Sequence, residues 1–182
     1  MKRLLLILVV CLSPLVINAQ SSVKVNGSLA LPESEKYLLL KFDFSETLFE
    51  KKYNESDWAL LNGKEEWEAA KQEALEEIVS WMNEKMEKTR IIMVLEKMIT
   101  SENSSIKPNY TLYITPETYF RKGRNKSMFV LKNNETGEVL GTVSTNEKGA
   151  KIGSLGNLLG EGYDFTSQEV AKRIAKENRI KK

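Results

Sequence analysis

The chain contains no histidine, and its one cysteine, Cys11, lies in an apolar run near the amino terminus. General base catalysis near neutral pH most often uses histidine, and zinc sites are built mainly from cysteine and histidine. Triads that need a histidine, c-type haem attachment and the usual zinc hydrolases are therefore excluded. Carboxylate pairs, serine with lysine, and calcium remain open, although no D-x-D/N-x-D/N-G calcium loop occurs. A concentrated basic face is also missing: 27 basic residues are interleaved with 25 acidic ones, which argues against a nucleic-acid partner. The longest apolar run, Leu4 to Ile17, interrupted only by Ser13 and Pro14, spans 14 residues, short of the roughly 20 that a transmembrane helix needs.

That run is preceded by Lys2 and Arg3 and followed by Ala19 and Gln20, the pattern of a secretory signal peptide over residues 1–19 cleaved after Ala19. A rival reading makes Cys11 the acceptor of a lipoprotein site. Val10 is not the small residue such sites carry before the cysteine, and the apolar run continues past Cys11. Cleavage after Ala19 leaves 25 basic and 25 acidic residues, no cysteine and about 163 residues, enough for one domain with a real core. A secreted domain of that size can do without disulfides. The expected compartment is the periplasm or the extracellular space, with no transmembrane segment in the mature chain. Six Asn-X-Ser/Thr sequons, at Asn26, Asn54, Asn103, Asn109, Asn125 and Asn134, are read as coincidence in an Asn-rich chain.

Residues 20–35 are small and polar and are expected to form a flexible amino-terminal arm or a short edge strand, ahead of a single α+β domain over 36–182. KYLLLKFDFS, from Lys36, reads as a largely buried strand. Asp57 to Leu61 suggests one helical turn. Asn62-Gly63 then punctuates before a long helix from about Lys64 to Lys88, in which Trp67, Ala70, Ala74, Ile78 and Trp81 or Met82 recur at steps of three and four. Residues 90–99, RIIMVLEKMI, fit a buried strand better than an extension of that helix. Three strands follow: Tyr110 to Phe120, with Pro116 marking an edge or bulge, Lys126 to Lys132, and Glu138 to Thr145. NNETG joins the last two as a hairpin. A final helix runs from about Ser167 to Asn178. The order predicts a two-layer sandwich: a mixed, mostly antiparallel sheet of about five strands, with the long helix and the carboxy-terminal helix on one face.

The segment GAKIGSLGNLLGEG, residues 149–162, holds half of the ten glycines. Its spacing matches neither phosphate-loop motif, and Thr166 with Glu169 offers a T-x-x-E capping box for the helix that follows, so no anion is required. It reads as a bent connector whose Leu155, Leu158 and Leu159 pack on the sheet or on a partner. Asp43, Glu46 and Glu50, Glu65, Glu66 and Glu68, and Glu161 with Asp164 could each supply a carboxylate pair, the equipment of a glycosidase. With 25 acidic residues in the chain, most are expected to be solvated surface. Trp67 and Trp81 read as core. The alternating Tyr113 and Thr115, with Tyr119, mark the most promising open face for a ligand.

YTLYITPETYF, then SMFVLKNNETGEVLGTVST, a glycine-rich stretch and EVAKRIAKENR together resemble, in topology, small bacterial envelope domains such as the TolB amino-terminal domain. The Lys, Asn and Glu richness and the ending INAQ of the leader resemble uncharacterised secreted proteins of Bacteroides-type bacteria. The resemblance implies a non-enzymatic envelope role and carries no catalytic, cofactor-binding or metal-ligating residue across. The expected function is a periplasmic or secreted domain binding a protein or envelope component, with no cofactor. Its contact surface would be drawn from Tyr113, Thr115, Tyr119, Leu155, Leu158 and Leu159. Two alternatives stand beside it: a small carboxylate-dependent glycan hydrolase, and a structural subunit docking through the glycine-rich segment.

Overall fold

The computed structural model describes residues 23–100, 105–119, 124–148 and 153–180. The expected signal peptide with Cys11, the sequon at Asn103, Phe120 and residues 149–152 of the glycine-rich segment lie outside them. In chain order the elements are β1 (Lys24–Gly27), β2 (Tyr37–Phe42), β3 (Leu48–Phe49), α1 (Glu55–Asn62), α2 (Lys64–Lys85), β4 (Ile92–Val94), β5 (Tyr110–Tyr119), β6 (Arg124–Asn133), β7 (Val139–Lys148), α3 (Leu155–Glu161) and α4 (Asp164–Glu177). The strands form one seven-stranded sheet in the order β1-β7-β6-β5-β2-β4, with β3 beside β5. Strand β2 runs parallel to β4 and to β5, and β3 runs parallel to β5, while the long β5-β6-β7-β1 ladder is antiparallel. The fold is α+β. The two strands beyond the expected five are β1 and β3, whose four and two residues are too few for a period to be read.

Alternation puts one face of every strand under the helices. Leu40 stands beside Leu112 and Leu112 beside Leu131, with Ile114, Phe129 and Val143 in the next row, and all are buried. Trp67, Ala70, Ala74, Ile78 and Met82 of α2 belong to the same core cluster, as the steps of three and four predict, while Trp81 is only half-buried. Trp67 has no exposed surface, and truncating a fully buried tryptophan typically costs about 3–5 kcal/mol. The helix joins β2 to the parallel β4, which is the strand expected within 90–99, followed by a 3-10 turn at Glu96–Met98.

Residues 23–35 are not a loose arm. Val25 pairs with Val143 as β1 joins the sheet, and Leu29 and Leu31 are buried. The reason lies at the other end of the chain. The Leu31 N–H donates to the Asn178 Oδ1 at 2.7 Å, and the Asn178 amide donates back to the Leu29 carbonyl at 2.8 Å. Asn83 does the same for β4: its Oδ1 accepts the Met93 N–H at 2.8 Å and its Nδ2 donates to the Met93 carbonyl at 3.0 Å. The β4 edge, which would otherwise offer a free ladder position to another strand, is closed by a side-chain amide.

Gly27 and Gly141 face each other where β1 meets β7. A Cβ on Gly141 would lie 2.4 Å from the Ser28 carbonyl oxygen, a backbone atom that cannot step aside. Gly141→Ala is expected to destabilise the protein by about 1–3 kcal/mol, the usual cost of overpacking, with hydrogen exchange accelerated first at the Lys24–Gly27 amides. Asn83→Ala is expected to cost a similar amount, about 1–3 kcal/mol, by leaving both Met93 backbone groups unpaired. Denaturant unfolding of each variant measures these losses.

Candidate functional site

Among the described residues, the helices cover one face of the sheet and none lies over the opposite face. Across it, the register aligns Lys41, Tyr113, Val130, Thr142 and Asn26 in one row and Thr115, Met128, Ser144 and Lys24 in the next. Tyr113, Val130, Thr115 and Met128 are each half-buried. Tyr113 and Thr115 thus share the open face, as alternation predicts. Their neighbours Val130, Met128, Thr142 and Ser144 complete it, and the alternation in SMFVLK and VLGTVST carried that signal. Thr115 is fixed in place: its hydroxyl donates to the Met128 carbonyl at 2.6 Å.

Tyr119 is not on that face. Pro116 pairs with Ser127 and Thr118 with Lys126, so Glu117 is an extra residue, a bulge at the place where Pro116 predicts one. One extra residue reverses the alternation. Tyr119 therefore points to the helix side, fully buried, 5.7 Å from the Phe49 ring and 6.3 Å from the Trp58 ring. Trp67 and Phe44 complete this aromatic cluster. Beside it, the Glu55 carboxylate accepts from the Trp67 indole N–H at 3.0 Å and from Lys71 at 2.8 Å, which ties α1 to α2. Burial works to lower the Lys71 pKa, but its bonds and charge interactions with Glu55 and Glu68 outweigh burial and hold it above the ordinary lysine value.

The bulge also shapes a groove at the end of the open face, a cavity of about 280 Å³ lined by Thr115, Pro116 and Met128 together with Asp43, Glu46 and Glu117. Of the acidic groups singled out in the sequence, Asp43 and Glu46 are brought to this place. Glu65 and Glu66 instead occupy the exposed first turn of α2, and Glu68 pairs with Lys71 at 2.7 Å. Among the described residues, no three acidic side chains are grouped so as to hold a metal ion. No helix among them is long and apolar enough to cross a membrane.

The glycine-rich segment is on the other side of the molecule, and from Leu155 it is a helix and not a bent connector. The Ser154 hydroxyl caps α3 by accepting the Asn157 N–H at 3.1 Å. Gly156 and Gly160, four apart, form a face without side chains that lies on α2, where a Cβ at Gly160 would stand 3.6 Å from the Ala74 Cα. Leu159 is fully buried, and Leu155 and Leu158 are half-buried, so the three leucines belong to the packing of the helical layer. The expected capping box is replaced too. Helix α4 starts at Asp164 directly after α3, and Thr166 lies inside it, with its hydroxyl donating back to the Tyr163 carbonyl at 3.1 Å. The candidate contact residues therefore divide: Tyr113 and Thr115 on the open face, Tyr119 in the core, and the three leucines in the helical layer.

No protein-family model and no curated protein sequence matches the chain. In chain trace it is similar to two structures of the PelC dodecamer from Paraburkholderia phytofirmans. One is at 13% identity and a TM-score of 0.42, covering 86% of this chain and 95% of that one. The other is at 12% identity and a TM-score of 0.46, covering 88% and 99%. An uncharacterised protein is similar at 13% identity and a TM-score of 0.37, over 80% of this chain and 95% of its own.

Seating α3 on α2 collects negative charge. Burial raises the Glu77 pKa, and the charges of Glu73, Glu161 and Asp164 raise it further. A raised carboxylate pKa means that ionisation costs folded stability above that pKa, and the cost is relieved as the pH falls toward the ordinary glutamate range. Glu77→Gln is therefore expected to stabilise the protein at pH 7 by a few tenths of a kcal/mol, the scale of like-charge repulsion on a helix surface. The gain should vanish at about pH 4, near the ordinary glutamate pKa. Thermal unfolding of both proteins at the two pH values checks the sign.

Proposed function

We propose that the chain is a non-enzymatic binding or assembly domain of the periplasm or the secreted space, which holds a protein or envelope component against the open face of its sheet. The observation that carries this reading is the one-sided fold. Among the described residues, four α-helices crowd onto one face, and the other presents half-buried Tyr113, Val130, Thr115 and Met128 with none of these helices over them. Apolar and hydroxyl side chains in register make a flat, rigid surface suited to a partner rather than to a small molecule. The leader-like residues 1–19 support the compartment.

The second reading, a carboxylate-dependent glycan hydrolase, is favoured by one observation: Asp43, Glu46 and Glu117 line the same groove beside that face. Glycosidases need two carboxylates about 5–10 Å apart across a scissile bond.

Affinity capture from an envelope extract, with mass spectrometry of the retained material, separates the readings. Val130→Glu on the open face is expected to abolish retention at a stability cost of no more than about 1 kcal/mol, the scale of a cross-strand pair. Leu60→Glu, at a residue 64% exposed on α1, should leave retention intact. Equal retention by wild type and Val130→Glu would sink the binding reading. Turnover of envelope glycans that is lost in Asp43→Asn or Glu117→Gln would replace it with the hydrolase.

A further inference from the structure

The core beneath the α3–α4 junction is not all apolar. On the covered face, Asn125 stands opposite Glu147 and Ser127 opposite Thr145. Tyr119, which follows the Thr118 partner of Lys126, stands next to Asn125. Ser127 and Thr145 satisfy each other through hydroxyls 3.0 Å apart. The helices close directly on this row, since a Cβ at Gly162 would lie 3.3 Å from the Asn125 Nδ2.

Two more hydroxyls enter from α4. Tyr163 is 1% exposed and Ser167 0%. The Ser167 N–H donates to the Tyr163 carbonyl at 2.8 Å, so the two side chains leave the same side of the helix one turn apart. Among the described residues, neither the Tyr163 hydroxyl nor the Ser167 hydroxyl has a hydrogen-bond partner, and the buried Glu147 Oε2 has none either. Such groups have given up their hydration for nothing in return, and folded proteins meet that need with internal water that makes two to four bonds. Burial pushes the Tyr163 phenol well above its ordinary pKa, with Tyr119 adding to the effect, so it remains an O–H donor in want of an acceptor.

We infer that the seam between the start of α4 and the ends of β6 and β7 is a binding site for internal water, held by the Tyr163 and Ser167 hydroxyls with the Glu147 carboxylate as a further acceptor. The site lies on the helical side of the sheet and stands independently of the open face and its partner.

Two measurements test it. In the wild-type protein, water-to-amide Overhauser transfer should show long-lived water at the Ser167 and Asn125 amides. Tyr163→Phe and Ser167→Ala should each lower Tm by about 2–4 °C, the shift that follows from the loss of roughly one hydrogen bond in a domain of this size. If the hydroxyls are simply unpaired, deleting them relieves a cost and Tm stays level or rises. A level or raised Tm in both variants, or the absence of long-lived water at those amides, overturns the inference.

Discussion

The apolar stripe of α2, from Trp67 through Ala70, Ala74 and Ile78 to Met82, is the constraint to which the other elements answer. A helix of 22 residues with one such stripe must lay it on a sheet, and the chain supplies parallel strands on either side of it in sequence, β2 before α1 and α2, and β4 directly after. A crossover of this kind places its helix on one face only. The remaining helices are then recruited to the same side, α1 through Glu55 and Lys71, α3 through its glycine face on Ala74, and α4 over β7. The uncovered face of the sheet is the complement of this crowding.

Where the physics is local, the sequence was legible. The stripe, the hairpin turn and the alternation that sets Tyr113 and Thr115 on one face are all patterns contained within a single element or turn. The Asn133 side chain accepts the Glu135 and Thr136 N–H groups at 2.9 and 3.0 Å and closes the turn where NNETG predicts it. What was not legible depends on distant partners. Pro116 hinted at a bulge, yet nothing in TPETY says that the extra residue is taken up before Tyr119, because the register belongs to the pairing with β6. Gly156 and Gly160 read as bends in a connector, although their role is to present a bare helix face to Ala74, some eighty residues earlier. TSQE satisfies a capping pattern by composition, but α4 already begins at Asp164, so Thr166 lies inside the helix and not at its cap.

The bulge and the bare helix face have opposite consequences for the candidate site. The bulge withdraws a tyrosine from the open face and spends it on the aromatic cluster with Phe49 and Trp58, while creating the groove beside Asp43. The bare face brings α3 so near to α2 that the glutamates between them are pressed together. In both places the packed layer takes what it needs, and the chemistry that remains is set by how closely backbones approach.

The hydrogen bonds between Leu29, Leu31 and Asn178 join residues 147 to 149 apart, and the ladder between β1 and β7 also joins distant parts of the chain. Such contacts have the largest loop to close and reward the chain only after it is closed. Leu29 and Leu31 therefore gain these partners only when Asn178, at the end of α4, is in place. Securing β1 is thus timed by α4, the element farthest from it in sequence among the described residues.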